Sequence, residues 1–477
     1  MKTSRLWRLA PLVVAGWAAS SARADSLHVE GPYFRDPRGA VVVLRGFNVA
    51  GDAKVPPFRP VDDPRMFDVF AGYGVNVARL LFSWEAFESS RGTYDEGYFD
   101  YYEGLIDALH ERGVRVIVDF HQDAFSRFAT DGCGEGMPEW AISPRTTKHA
   151  PDNGPSCASW GIKFILDGDT HKCWDDFYAD AQGVRTSYLN MLKTVARRLR
   201  GHEAVLGYDI LNEPWADEVK QLAPFYDEAA RVLRAEDQDA ILFVSPQGLT
   251  SAGQETKLPR PSFDNFAYSP HFYDGAVVQL QIWFGGSLAG PVNRMAQQAQ
   301  RWNVPLFVGE FGAPGEGNNV AAYMDEFYAQ LDAQLLSAAQ WSFVAHWHPE
   351  KKDGWNTEDF SVFDGSGAPR ATLRVRAYPA RIAGTPIAFK TTRSPESTVE
   401  LAWQSVPAQG ETRIFAPHSA LFSSQAFVET HEDVTCSYEE NGLYLRCTSA
   451  TEGEKRIVLR ACGAGEVCVQ TDRPTAP

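Results

Sequence analysis

Two glutamates end runs of apolar residues: Glu213 in Gly207-Tyr-Asp-Ile-Leu-Asn-Glu and Glu310 in Leu306-Phe-Val-Gly-Glu. A carboxylate placed there needs either a counter-charge or a reaction to serve. A pair of them suits cleavage of an acetal. One carboxyl protonates the departing oxygen while the other acts on the far side of the anomeric carbon. At a separation of about 5–5.5 Å the second carboxylate attacks directly and configuration is retained; a wider gap admits a water and inverts it. The sequence does not measure that gap. Other polar residues fall at equivalent points along the chain, namely Arg79, the triplet His121-Gln122-Asp123, Asn212, His271, Tyr273 and Trp341.

The elements that must carry these residues are short and rich in Val, Ile, Leu and Phe. They run Val41–Val49, Val75–Trp84, Arg115–Asp123, Val205–Pro214, Ile241–Pro246, Phe266–Tyr273, Pro305–Gly312 and Ala338–His346. Near-continuous apolar runs mark strands buried on both faces of a parallel sheet. Between them, Tyr98–Arg112 and Thr186–Arg200 place apolar residues three and four apart, as amphipathic helices do. Eight such strands alternating with helices predict an α/β fold, a (β/α)8 TIM barrel whose strand ends carry the site. A doubly wound sheet lacks its Gly-rich phosphate turn here.

From about Tyr378, prolines and glycines punctuate short alternating strands such as Thr398–Gln404 and Arg456–Arg460, which predicts a C-terminal antiparallel β-sandwich. A long Gly-, Pro- and Ser-rich insertion, Cys133 to Asp176, follows the third strand and should decorate the face that binds substrate. At the other end, Lys2, Arg5 and Arg8 precede an apolar stretch, and Ala22-Arg23-Ala24 has the form of a cleavage site. The expected organisation is a secretory signal at 1–24, a catalytic barrel at 25–377 and the sandwich at 378–477, with the mature protein exported to the periplasm or medium.

The 477-residue chain carries a formal charge of −16, which loss of Lys2, Arg5, Arg8 and Arg23 takes to −20. An acidic surface of that kind argues against nucleic acid as a partner. Seven cysteines in an exported chain point to disulfides. Pairs 436–447 and 462–468 fit short loops, while Cys133, Cys157 and Cys173 leave one bridge and one spare thiol. None shows paired zinc spacing, and His346-Trp347-His348 lacks a third ligand, so neither a metal nor a cofactor is expected. A monomer is expected, although no residue pattern fixes the oligomeric state.

The motifs Leu211-Asn212-Glu213-Pro214 and Phe307-Val308-Gly309-Glu310-Phe311-Gly312 resemble the fourth- and seventh-strand signatures of glycoside hydrolase family 5. Arg79, His121, the His271-Phe272-Tyr273 segment and Trp341 follow in the family's order, so the resemblance spans about Leu44 to Trp341. It implies that Glu213 is the acid/base and Glu310 the nucleophile. It also implies that Asn212 bonds the sugar 2-hydroxyl, that Arg79 and Tyr273 keep the nucleophile ionised and oriented, and that Trp341, in preference to Trp347, stacks on the sugar. A cation near Glu310 lowers its pKa, whereas Glu213 must hold a proton.

Arg45-Gly46-Phe47-Asn48-Val49, Val118 to Ser126 and Pro138-Glu139-Trp140 are similar to a narrower subgroup, the endoglycoceramidases. That implies hydrolysis of the β-linkage between an oligosaccharide and ceramide, with Asp123 and Lys54 binding hydroxyls of the sugar at the scissile bond. The partners implied are a glycolipid or oligosaccharide substrate and transient contact with a membrane or micelle surface. A lipid leaving group needs an apolar groove. Val277, Val278, Leu280, Ile282, Trp283 and Phe284 either line one or belong to an ordinary barrel helix. Another family 5 activity, on glucans or on steryl or glucosylceramide substrates, and a non-catalytic sugar-binding barrel are the alternatives.

Overall fold

Eight parallel strands form the centre of this computed structural model, which describes residues 26–151, 157, 160–393, 397–422, 426–463 and 465–469. They are β1 (Arg45–Val49), β2 (Val77–Ser83), β3 (Arg115–His121), β4 (Val205–Asp209), β5 (Ile241–Val244), β6 (Phe266–Tyr268), β7 (Phe307–Val308) and β8 (Ser337–Phe343). Each pairs with its neighbour in chain order, and β8 returns to β1. A parallel bridge, Tyr268 to Leu306, closes the barrel between β6 and β7. Past that bridge β6 and β7 continue as His271–Phe272 and Glu310–Phe311, with His271 directly opposite Glu310.

Almost every strand residue is buried, as double-sided burial in a barrel requires. Helices cover the outside. In α1 (Glu96–His110) Asp95 caps the first turn through the Tyr98 N–H, and Phe99, Tyr102, Leu105, Ile106 and Leu109 form the buried stripe. The 186–200 pattern becomes α3 (Val184–Leu199), with Tyr188, Leu192, Val195 and Leu199 buried. Between them the insertion holds the short α2 (Trp160–Leu166) and a helix at Gly168–Tyr178.

Two antiparallel sheets follow the barrel, packed through Leu401, Trp403, Ile414, Phe415, Leu445, Ile457 and Leu459. The run expected as a single first strand, Val41–Val49, is in fact divided. Val41–Val42 pairs antiparallel with Tyr378–Ile382 of the C-terminal sheet, and only Arg45–Val49 enters the barrel. Strands His28–Glu30 and Tyr33–Arg35 join the same C-terminal sheet. This N-terminal segment therefore belongs structurally with the sandwich, although the sequence places it with the barrel. The reason is packing: Phe34, Val42 and Leu44 plug the barrel floor against Val77, Ile117, Ile241, Phe243 and Phe307.

All seven cysteines are accounted for. Cys133–Cys157, Cys436–Cys447 and Cys462–Cys468 are bonded, and Cys173 is a buried free thiol. The expected export signal lies outside the described residues.

Candidate active site

Strand register assembles a buried charge cluster inside the barrel. Asn48 on β1 is paired with Arg79 on β2, and Asp119 on β3 with Asp209 on β4. Arg79 is fully buried, so its guanidinium must spend its donors on protein. Nε donates to Asp209 Oδ2 (2.9 Å), Nη2 to Asp119 Oδ1 (2.8 Å) and Asn212 Oδ1 (2.7 Å), and Nη1 to Asn48 Oδ1 (3.0 Å) and Glu310 Oε1 (2.7 Å). The Tyr273 hydroxyl donates to the other Glu310 oxygen at 2.9 Å. Glu310 is thus held at both oxygens. Burial opposes its charge, but the facing His271 and Arg79 hold its carboxyl below the usual glutamate range. Asp209 behaves in the opposite way, since burial pushes it up to about 6 despite Arg79.

Glycine is required just before Glu310. A Cβ on Gly309 would lie 2.7 Å from His271 Nε2 and 2.9 Å from Ser269 Oγ. The close approach lets His271 sit between the two glutamates. Its Nδ1 is 2.9 Å from Glu213 Oε1 and 3.5 Å from Glu310 Oε2. One carboxyl oxygen of Glu213, one of Glu310 and a His271 ring nitrogen all lie within 4.8 Å of one another. Burial disfavours a charged His271, yet the carboxylates of Glu310 and Glu213 raise its pKa.

Glu213 has φ of 35°, in the left-handed region where a non-glycine residue is strained. A clamp holds it there. Gln122 Nε2 donates to the carbonyls of Asn212 (2.6 Å) and Glu213 (3.2 Å), while its Oε1 accepts from the Phe125 N–H (2.7 Å). Asn212 Nδ2 in turn donates to the Gln122 carbonyl at 3.0 Å.

A second cluster lies alongside. Lys54 Nζ donates to Asp123 Oδ2 (2.6 Å), approaches Glu358 Oε2 (3.4 Å), and lies over the rings of Trp341 (4.6 Å) and Trp355 (4.0 Å). His121 bonds Asp119 through Nδ1 (2.7 Å), stacks on Trp341 (5.5 Å between ring centres), and turns Nε2 toward Asp123 and Glu135. Burial pushes Glu135 and Glu358 up to about 8, against the pull of His121 and Lys54 respectively. Among the described residues, two groups have donors close enough for a divalent ion, His121/Asp123/Glu135 and Glu213/His271/Glu310. Each already contains or borders a protein cation, Lys54 in the first and Arg79 in the second.

A cleft of about 360 Å³ exposes part of this machinery. Its walls include Lys54, Asp123, Glu213, Tyr273, Glu310 and Trp341. The remaining expected site residues, Arg79, His121, Asn212 and His271, stand behind the wall and act on those that line it. Trp347 points elsewhere, donating to Asp359 Oδ1 at 2.8 Å. His346 is engaged by Asp52 (3.0 Å) and Asp62 (3.4 Å).

Of the two readings left open for Val277 to Phe284, the structure favours the ordinary helix for most of them. Residues Gly275–Leu280 form a short helix, α4, in which Val277 is buried in the barrel core, and Trp283 packs on Tyr323. Of the six residues proposed, only Val278 lines the cleft, while Leu280 and Phe284 are exposed. Trp140 bonds the Glu88 carbonyl and packs on Trp84, away from the cleft. Sequence reasoning also missed contributors. Asn48, Asp119 and Asp209 signal themselves as polar residues inside apolar runs, whereas Gln122, conspicuous beside His121 in the sequence, gives no hint there of its clamp. Ser251 and Glu358 lie in turns and loops and Trp160 opens the short α2 of the insertion, and none of them carries such a signal.

Comparison with known proteins agrees with this architecture. The family model described as cellulase (glycosyl hydrolase family 5) matches residues 36–346, and that of the glycoside hydrolase family 5 C-terminal domain matches 376–459. Endoglycoceramidase I of Rhodococcus hoagii is 26% identical, over 94% of this chain and 88% of its own. Endo-glycoceramidase II from Rhodococcus sp., solved as a ganglioside GM3 complex, superposes with a TM-score of 0.77 at 22% identity, covering 91% of this chain and 100% of that one. Sterylglucosidase 1 of Cryptococcus neoformans does so at 0.75 and 18% identity, covering 93% and 98%. At such identities the superpositions speak for a shared fold. The family models cover most of the chain, barrel and sandwich alike, and on that ground the chain belongs to glycoside hydrolase family 5.

Proposed function

We propose that this hydrolase is a secreted, retaining endo-β-glycosidase that releases an oligosaccharide from ceramide, with Glu213 as acid/base and Glu310 as nucleophile. The observation that carries the mechanism is the approach of the two carboxyls: one oxygen of each lies within 4.8 Å of the other in the wall of one cleft. That spacing suits direct attack better than the wider gap an inverting enzyme uses for its water. Glu310, ionised and bonded at both oxygens, is positioned to attack C1. Once it becomes an ester its negative charge is gone, which eases proton release from Glu213 and equips it to activate water for the second step.

The ceramide-linked substrate is favoured by the full-length similarity to endoglycoceramidase I. Lys54 and Asp123, paired in the cleft wall beside Trp341, offer one donor and one acceptor to hydroxyls of a sugar stacked on the indole. Val278, Pro314 and Phe360 supply apolar surface in the same cleft for the leaving group. Three disulfides favour an oxidising compartment and hence export.

One assay separates the substrates: release of intact oligosaccharide from lactosylceramide or a ganglioside, against reducing ends from a soluble glucan or glucose from a steryl glucoside. Glycolipid cleavage should dominate. Glu310→Gln should lower kcat by at least about 10³-fold with the fold intact. Glu213→Gln should cost glycolipid turnover about 10²–10⁴-fold while sparing the first step on an activated aryl glycoside, whose leaving group needs no acid. Normal glycolipid turnover in either variant would overturn the assignment.

A further inference from the structure

Among the described residues, both hydrogen bonds to the Glu213 carboxyl fall on the same oxygen. Oε1 receives His271 Nδ1 at 2.9 Å and the Ser251 hydroxyl. Oε2 is left to the cleft, which Glu213 and Ser251 both line. Ser251 lies in the short turn Gly248–Ala252 after β5, and its backbone is fixed on both sides. The Gly248 N–H donates to the Pro214 carbonyl (2.9 Å), next to Glu213, and the Ser251 carbonyl accepts from the Tyr273 N–H (2.9 Å). The turn is therefore tied to the segment carrying Glu213 and to the one carrying His271 and Tyr273. The Ser251 hydroxyl also lies 2.7 Å from the Gly248 carbonyl.

A hydroxyl has one proton, and Ser251 has two acceptors for it. A carboxylate is the stronger acceptor and a neutral carboxyl oxygen competes poorly. The proton should turn to Glu213 when Glu213 is ionised and back to Gly248 when it is protonated. No heavy atom need move. From this geometry we infer that Ser251 is a positioning residue for the acid/base, fixing its Oε1 edge in both steps and stabilising the carboxylate that forms as Glu213 gives up its proton in the first. The inference rests on the assignment of Glu213 above.

The groups facing Glu213 are Ser251 from the turn after β5, His271 and Tyr273 from the continuation of β6, and Glu310 from that of β7. Ser251→Ala removes one donor to the carboxylate and leaves the others. Its loss disfavours ionisation, so the alkaline limb of kcat/KM should move up by about one pH unit. On an activated aryl glycoside, limited by the second step, kcat should fall about 10-fold with KM unchanged or lower. Ser251→Thr, which keeps the hydroxyl, should restore both. In a Glu213→Gln background, adding Ser251→Ala should leave the single-turnover burst of aryl glycoside unaltered, because the ionisable carboxyl that Ser251 serves is already gone. An unmoved alkaline limb, a loss confined to KM, or an added loss in the Glu213→Gln background would each overturn the inference. Failure of the Glu213 assignment is read separately, from glycolipid turnover by Glu213→Gln alone.

Discussion

At the scale of single residues the site is governed by which buried charges have partners. Arg79 answers Asp119, Asp209 and Glu310 at once, and Lys54 answers Asp123. Glu135 is less well served. It is buried, its Oε1 finds no hydrogen-bond partner among the described residues, and burial pushes it up to about 8 although His121 faces it. The native state then binds a proton on Glu135 that the unfolded chain has released above its ordinary value of 4.5. Stability must fall as pH rises from that ordinary value toward about 8, where the folded protein at last gives the proton up. Glu135→Gln keeps the neutral shape and has no proton to lose. Its Tm should match the parent near pH 5 and exceed it by about 2–5 °C at pH 9, measured by calorimetry across pH. An equal Tm difference at both pH values would show that the carboxyl is ionised throughout.

Elements decide whether such residues meet, and here the sequence was legible where burial is continuous. Strands of Val, Ile, Leu and Phe have few alternatives, so their ends, and with them Glu213 and Glu310, could be located from the chain. Polar residues embedded in those strands were legible in principle, because a charge in such a run demands a partner. The clamp by Gln122, the turn holding Ser251 and the fate of residues 276–284 were not. Loop backbone is set by tertiary hydrogen bonds, and an apolar hexamer reads alike whether it faces a cleft or a core. Gly309 belongs to the legible class, since the extension of β7 brings its Cα against His271 and Ser269. Gly309→Ala should displace the His271 ring, destabilise by about 1–3 kcal/mol and reduce kcat at least 10-fold. A crystal structure of the variant with His271 in place and activity intact would refute that role for the glycine.

For the whole molecule, the sandwich and the barrel share a segment. Residues 28–42 contribute three strands to the C-terminal sheet while Phe34 and Val42 seal the barrel floor. The sequence hid this because Val41–Val49 is apolar throughout, and no periodicity marks where a strand changes sheets. Further ties cross the same boundary. The Tyr378 hydroxyl donates to the Gly74 carbonyl (2.5 Å), Asp325 in the barrel helix Val320–Ala333 lies 3.6 Å from Arg393, and a Cβ on Gly74 would lie 2.5 Å from the Phe415 ring. Removing the sandwich would leave Val41–Val42 paired only with Tyr33–Arg35 and expose its other side as a row of unpaired backbone groups on a hydrophobic edge, a known route to aggregation. A chain ended after Ala377 should therefore accumulate as insoluble protein. The intact chain should unfold in one calorimetric transition, since neither part completes its core without the N-terminal segment. A soluble 26–377 fragment with a cooperative melt and undiminished activity would show that the barrel floor closes unaided, and the sandwich would then be a separable domain.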